Sequence, residues 1–165
     1  MSPTSWWARK ARQLGSHLAA RVSPQERAAL AAWTRPTELA LFDGMHLADR
    51  RHGLDVVAHL RRAGVKDRDV LVAGLLHDCA KGATGAGPRV AWSLGELLGP
   101  RVLAAAAHVP GWGPAIDRLR NHAGASADAL AAAGLSAGAV DLVRYQDAPR
   151  DLEYGARFHA ADEAC

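Results

Sequence analysis

Cysteine is almost absent from this chain: 165 residues contain two, Cys79 and Cys165. So wide a separation makes neither a CxxC motif nor the repeated spacing of a secreted disulfide scaffold, and a reducing cytoplasm is the expected setting. Long apolar runs are missing too. No segment approaches the roughly 18 continuous apolar residues that a membrane-spanning helix needs, and the opening "MSPTSWWARKARQLG" is broken by charge too early for a signal peptide. β-branched residues are mostly isolated valines, and apolar positions recur at three and four residues rather than two, which argues against a sheet. A charge excess of one sign is also lacking. The net +3 comes mostly from arginines scattered along the chain, which permits an acidic ligand but makes no continuous stripe for nucleic acid.

What remains is a chain dominated by alanine and leucine with Gly/Pro punctuation, and the expected fold is a single all-α domain. Its length suffices to bury about two thirds of the extended surface without staples. Helices are predicted over roughly 5–20, 24–42, 47–63, 67–81, 88–108, 114–133 and 137–147, with a short tail helix after Leu152. Ser23-Pro24-Gln25-Glu26 offers an N-cap, a proline at the first helical position and an acid in the first turn, and Gly64 and Gly134 stand where C-caps belong. "GATGAGP", Gly82 to Pro88, reads as a connector. The N-terminal segment combines Trp6 and Trp7 with Arg9, Lys10 and Arg12, and places Trp7, Ala11, Leu14 and Leu18 on one helical face. Such a helix can lie on a membrane surface or dock on its own domain, and the short, interrupted apolar face favours docking.

Eight histidines are available. His17, His46, His59 and His159 have no acid or histidine at ligand spacing, and His108 suits a helix C-terminus. His52 in "ADRRHGLDVV", His77 and Asp78 in "LLHDCAKG", His122 in "RNHAGASADAL" and Asp147 in "LVRYQDAP" differ, because each lies on or at the end of a predicted helix among apolar residues. Burying an unpaired carboxylate or imidazole costs several kcal/mol, so several facing one core need a common reason. A divalent ion supplies one. A mixed nitrogen and oxygen donor set suits Fe, Mn, Zn, Ni, Co or Mg, and open positions around the ion suit hydrolysis better than structure. Adjacent residues on a helix point about 100° apart, so His77 and Asp78 grip one ion only if it sits over the helix end.

His52, then His77-Asp78 after a small-and-leucine run with "AK" following, then Asp147 at the end of a later helix resembles the ordered H…HD…D pattern of the HD-domain metal-dependent phosphohydrolases. The resemblance covers about residues 45–150, with residues 1–44 as helices packing on or preceding that domain and 151–165 as a tail helix. It implies an all-α fold, a mono- or dinuclear metal centre, and hydrolysis of a phosphomonoester or phosphodiester in a small phosphorylated molecule, typically a nucleotide. By position, His52, His77, Asp78 and Asp147 match the metal ligands, and His122 matches a histidine that some members add, as a further ligand or as the acid that protonates the leaving oxygen. Lys81 matches the family's lysine, placed to meet a phosphate oxygen or to orient Asp78. Arg51, Arg120 and Arg144 adjoin ligand positions and are candidate phosphate clamps. Cys79 stands where an aliphatic residue is usual and reads as a small buried filler. The paired histidines of clearly dinuclear members are missing, which favours one ion, or a second held weakly by Asp78 and His122. The family also contains members that bind without cleaving, so a ligand-binding or interaction module is the other expectation.

Overall fold

The computed structural model describes residues 20–165. The amphipathic helix expected over 5–20, with its tryptophans and His17, lies outside the described residues. Among those described there are nine helices and no strand: α1 (Pro24–Ala31), α2 (Pro36–Gly44), α3 (Leu47–Arg62), α4 (Arg68–Leu76), α5 (Ala86–Leu98), α6 (Pro100–Ala107), α7 (Gly113–Ala132), α8 (Ala137–Arg144) and α9 (Gly155–Ala164). The described residues form an all-α fold, as the composition implies.

Local chemistry sets the boundaries. Ser23 and Glu26 form the reciprocal capping box at the start of α1, the Ser23 hydroxyl accepting from the Glu26 amide and the Glu26 carboxylate from the Ser23 amide. The helix expected over 24–42 is two helices. Pro36 lacks an N–H and disfavours helical backbone at Arg35, which takes an extended conformation instead. The expected 88–108 helix is divided likewise, because Gly99 adopts φ +98° ahead of Pro100. Gly64 and Gly134 have φ of +82° and +77°, the left-handed conformation of helix-ending glycines.

The opening run of α4 explains the core. Val70 to Leu76 are all buried, because α4 lies in the middle and packs against α2, α3, α8 and α9. Leu60 and Val56 of α3, Leu142 and Val143 of α8, and Phe158 and Ala161 of α9 close around it. A smaller cluster of Ala91, Ala106 and Ile116, with Trp92 and Trp112 against it, joins α5, α6 and α7. The α3–α4 contact is unusually close. A Cβ placed on Gly53 would lie 2.3 Å from the backbone oxygen of Leu75, so only glycine lets the two helices meet there. Among the described residues no helix is long and apolar enough to cross a membrane.

Candidate metal centre

That close contact sits beside two of the histidines. His52 follows directly before Gly53 on α3, and His77 stands at the C-cap of α4, so their rings meet edge to face with centroids 5.1 Å apart. The helix expected to run to 81 ends at Leu76 instead. Residues 77–81 form successive turns, with the Cys79 amide donating to the Leu76 carbonyl and the Lys81 amide to that of Asp78. Ser126 of α7 pins them, its hydroxyl accepting from the Ala80 amide at 3.1 Å.

The third member of the cluster is Asp162, on the face of α9 that also buries Phe158 and Ala161. Its Oδ1 lies 2.8 Å from His52 Nε2 and 3.1 Å from His77 Nε2. One ligand atom from each of His52, His77 and Asp162 falls within 4.8 Å of the others, a group that could hold a metal ion. His77 shows why the set suits a cation. Its Nδ1 donates to the carbonyl of Gly74 at 3.0 Å, which leaves the lone pair of a neutral ring on Nε2. Nε2 faces Asp162 Oδ1 at 3.1 Å and Asp78 Oδ2 at 3.5 Å, but off the hydrogen-bonding axis, so it is a buried nitrogen without a hydrogen bond. A lone pair confronting two carboxylates is repulsive unless a positive charge lies among them. His52 Nε2 and Asp162 Oδ1 share a hydrogen bond at 2.8 Å, and imidazole with carboxylate is the donor chemistry of Zn, Fe, Mn, Ni and Co.

Without an ion, a proton takes that place. Burial alone lowers the His77 pKa, but the charges of Asp78 and Asp162 outweigh it and raise the group from 6.5 to about 9. Burial pushes the two carboxylates upward, and the neighbouring cations, His77 foremost, overcome this and hold both well below the usual carboxylate range. The signs give a two-sided stability profile. The His77 contribution is complete below about pH 6.5 and is lost as pH rises through about 9; the carboxylate contribution is complete above their ordinary value of 3.8 and is lost as pH falls toward their depressed folded-state values. Thermal unfolding in EDTA should therefore show a maximum between these limbs, and Asp162→Asn should flatten the alkaline one.

Around the cluster stand further groups from the same helices. Lys81 Nζ donates to Asp78 Oδ2 at 2.6 Å; burial opposes its charge, and Asp78 more than compensates, raising the ammonium above the usual lysine range. His122 of α7 donates from Nδ1 to the Leu119 carbonyl at 2.7 Å, and its Nε2 lies 2.9 Å from the side-chain amide of Gln146 and 3.4 Å from Asp78 Oδ1. Burial first, and Lys81 next, lower the His122 pKa, so the ring is neutral at pH 7. Burial pushes the Cys79 thiol up to about 11, which makes it an inert filler against Ser126.

Of the sequence-predicted residues, His52, His77, Asp78, Lys81 and His122 are brought together. Asp147 is not. Helix α8 stops at Arg144, and the turn that follows buries Gln146 and exposes Asp147, so the carboxylate at the cluster comes from Asp162 instead. The three candidate arginine clamps are engaged elsewhere: Arg51 with Glu26 and Asp55, Arg120 with Asp117, and Arg144 with Asp128. Their guanidinium charges are matched by these carboxylates. Two residues went unread in the sequence. Asp162 carried a usable signal, since Phe158, Ala161 and Asp162 share one helical face and an acid on an apolar face asks for a partner. Gln146 carried none.

A cavity of about 350 Å³ is lined by Ala20, by His46, Leu47 and Ala48 at the start of α3, and by Thr84, Gly85, Ala86 and Arg89 at the start of α5. Arg89 is fixed there by a two-pronged pair with buried Asp49, at 2.8 and 2.9 Å, and by donating to Thr84. Asp49 is also among the charges that raise Lys81, which puts cavity and cluster in one electrostatic neighbourhood. No family model, curated protein or solved structure matches this chain.

Proposed function

We propose that this chain is a metal-dependent phosphohydrolase, cleaving a phosphomonoester or phosphodiester bond in a small molecule, with nucleotides as the expected class. The observation that carries the reading is the buried Nε2 of His77, which faces two carboxylates without a hydrogen bond. A polar atom so placed costs about 1–3 kcal/mol if left unpaired, and a positive charge among the three groups, a divalent ion or the proton that takes its place, removes the cost. The order His52, His77-Asp78 and a late acid supports the HD-domain resemblance, with Asp162 taking the place first expected of Asp147.

His52, His77 and Asp162 would hold the ion, with Asp78 adjoining them. When bound, the ion supplies Lewis acidity toward a phosphoryl oxygen and lowers the pKa of water. Lys81 presents its ammonium beside Asp78, where it offsets negative charge developing on the phosphoryl group. His122 faces Asp78 through Nε2, where it would serve as a further ligand or as the group that protonates the leaving oxygen. The cavity at the start of α3 and α5 is of the size that takes a small ligand, and Arg89, which lines it, keeps two N–H groups not used by Asp49 and Thr84.

The decisive experiment is elemental analysis of protein purified without chelator or immobilised nickel, beside folded His77→Ala and Asp78→Ala variants. Near-stoichiometric metal, lost from His77→Ala and weakened in Asp78→Ala, followed by hydrolysis in a screen of nucleotide phosphate esters, is the expected outcome. A wild-type protein that holds no metal and takes up none of Mn, Fe, Zn, Ni, Co or Mg would sink it.

A further inference from the structure

The cavity of about 350 Å³ offers protons where Thr84, Ala86 and Arg89 meet at the start of α5. Arg89 lines it with a guanidinium fixed at all three nitrogens: Nη1 and Nη2 donate to the two oxygens of buried Asp49 at 2.9 and 2.8 Å, and Nε donates to Thr84 Oγ1 at 2.8 Å. A guanidinium carries five N–H groups, so two remain. Thr84 is buried, 4% exposed, and its Oγ1 accepts from Arg89 while donating to none of the described residues. A buried hydroxyl proton is therefore left for a ligand. No side chain caps α5, so the Ala86 amide in its first turn, which has no partner within the helix, is a further donor. Among the described residues that line the cavity there is no carboxylate.

A held guanidinium, a buried hydroxyl and a helix N-terminus around one space are donors suited to an oxyanion. We propose that this cavity binds a phosphate group, through the two remaining N–H groups of Arg89, the Thr84 hydroxyl and the Ala86 amide. Asp49 matches the charge of Arg89, so its part is to fix the guanidinium plane, and the ligand is recognised by the direction of its hydrogen bonds. The site is separate from the metal-ion cluster, none of whose residues lines the cavity. It lies along the same helix, however: Ala48 in the cavity wall precedes His52 by four residues of α3, about 6 Å of helix rise. The phosphate site stands on its own donors and does not rest on the hydrolase reading.

Backbone amide spectra of the full chain in EDTA, titrated with inorganic phosphate and separately with adenosine monophosphate, test the site without a metal. Saturable shifts of the Thr84, Gly85 and Ala86 amides and of Arg89 Nε are expected, and none when chloride is added to the same ionic strength. Arg89→Lys keeps a cation beside Asp49 but loses the planar fork, and Thr84→Val keeps the side-chain shape but loses the hydroxyl. Both should lose the saturation. The probe that saturates at the lower concentration tells a free phosphate from one borne by a nucleotide. No saturable shift with either probe would overturn the proposal, as would shifts confined to other residues or unchanged in both variants. If neither variant folds, the wild-type map decides. Metal analysis on the same protein keeps the readings apart: phosphate bound here in a chain that takes up no metal defeats the hydrolase and leaves the site, whereas metal uptake and hydrolysis without shifts at these amides do the reverse.

Discussion

Gly53→Ala is expected to destabilise the protein and weaken divalent-ion uptake together. Helix propensity alone predicts the opposite, since alanine in a helix interior is favoured over glycine by about 1 kcal/mol. The close approach decides the sign. The new Cβ would lie 2.3 Å from the Leu75 oxygen and 3.1 Å from its carbonyl carbon, and neither is a side-chain end that can swing aside. Overpacking in a well-packed core costs about 1–3 kcal/mol, and a backbone obstacle puts this substitution at or beyond the upper end. Relief requires α3 to move off α4, which carries His52 away from His77. Ion affinity should fall about 10–100-fold, the range seen when the support of a ligand is lost. Gly124→Ala on α7 is the control. A Cβ there meets nothing within 4 Å, and it should stabilise by about 0.4–1 kcal/mol. Thermal unfolding and a metal titration of both variants check the pair, and equal responses would refute the role given to the close contact.

Asp162→Asn should abolish ion uptake, whereas Asp147→Asn should leave it intact. Asp162 Oδ1 lies 2.8 and 3.1 Å from the two histidine nitrogens, and replacing the carboxylate by an amide removes the negative charge that stabilises both a bound cation and a protonated His77. The loss should exceed the roughly 10–100-fold that removal of an outer partner costs. Asp147 is exposed, and a surface substitution of this kind changes stability by no more than about 0.5 kcal/mol. Measured metal content of the two variants, side by side, discriminates the geometry found here from the H…HD…D order taken literally along the chain.

The Asp147/Asp162 exchange shows where sequence reading stops. Both acids follow apolar segments, and each could end a helix facing a core. What separates them is the rotation of a few residues: α8 closes at Arg144, one turn turns Gln146 inward and Asp147 outward, and a further helix then crosses α3 and α4. None of that rotation is written in the periodicity of residues 137–147. The arginines fail for a related reason. Arg51, Arg120 and Arg144 stand near ligand positions in the chain, but long charged side chains reach whichever carboxylate the packing brings near, and Glu26, Asp117 and Asp128 were nearer. His122 was legible as a histidine on a helix, yet its ring contacts are set by Leu119 and Gln146, one of them 24 residues away.

By itself the sequence determined the helical class, the caps at Ser23, Gly64 and Gly134 and the burial of α4, because these follow from local backbone preference and from apolar periodicity that neighbouring residues share; the meeting of His52 with His77 and Asp78 was an expectation of the family resemblance. Only the tertiary structure decided which late acid completes the cluster, which cations are already matched, and that Gly53 is a contact rather than a weakness in a helix. Those depend on the approach of segments far apart in the chain, at distances of 2 to 4 Å, where a single backbone oxygen or a rotated turn outweighs any local tendency.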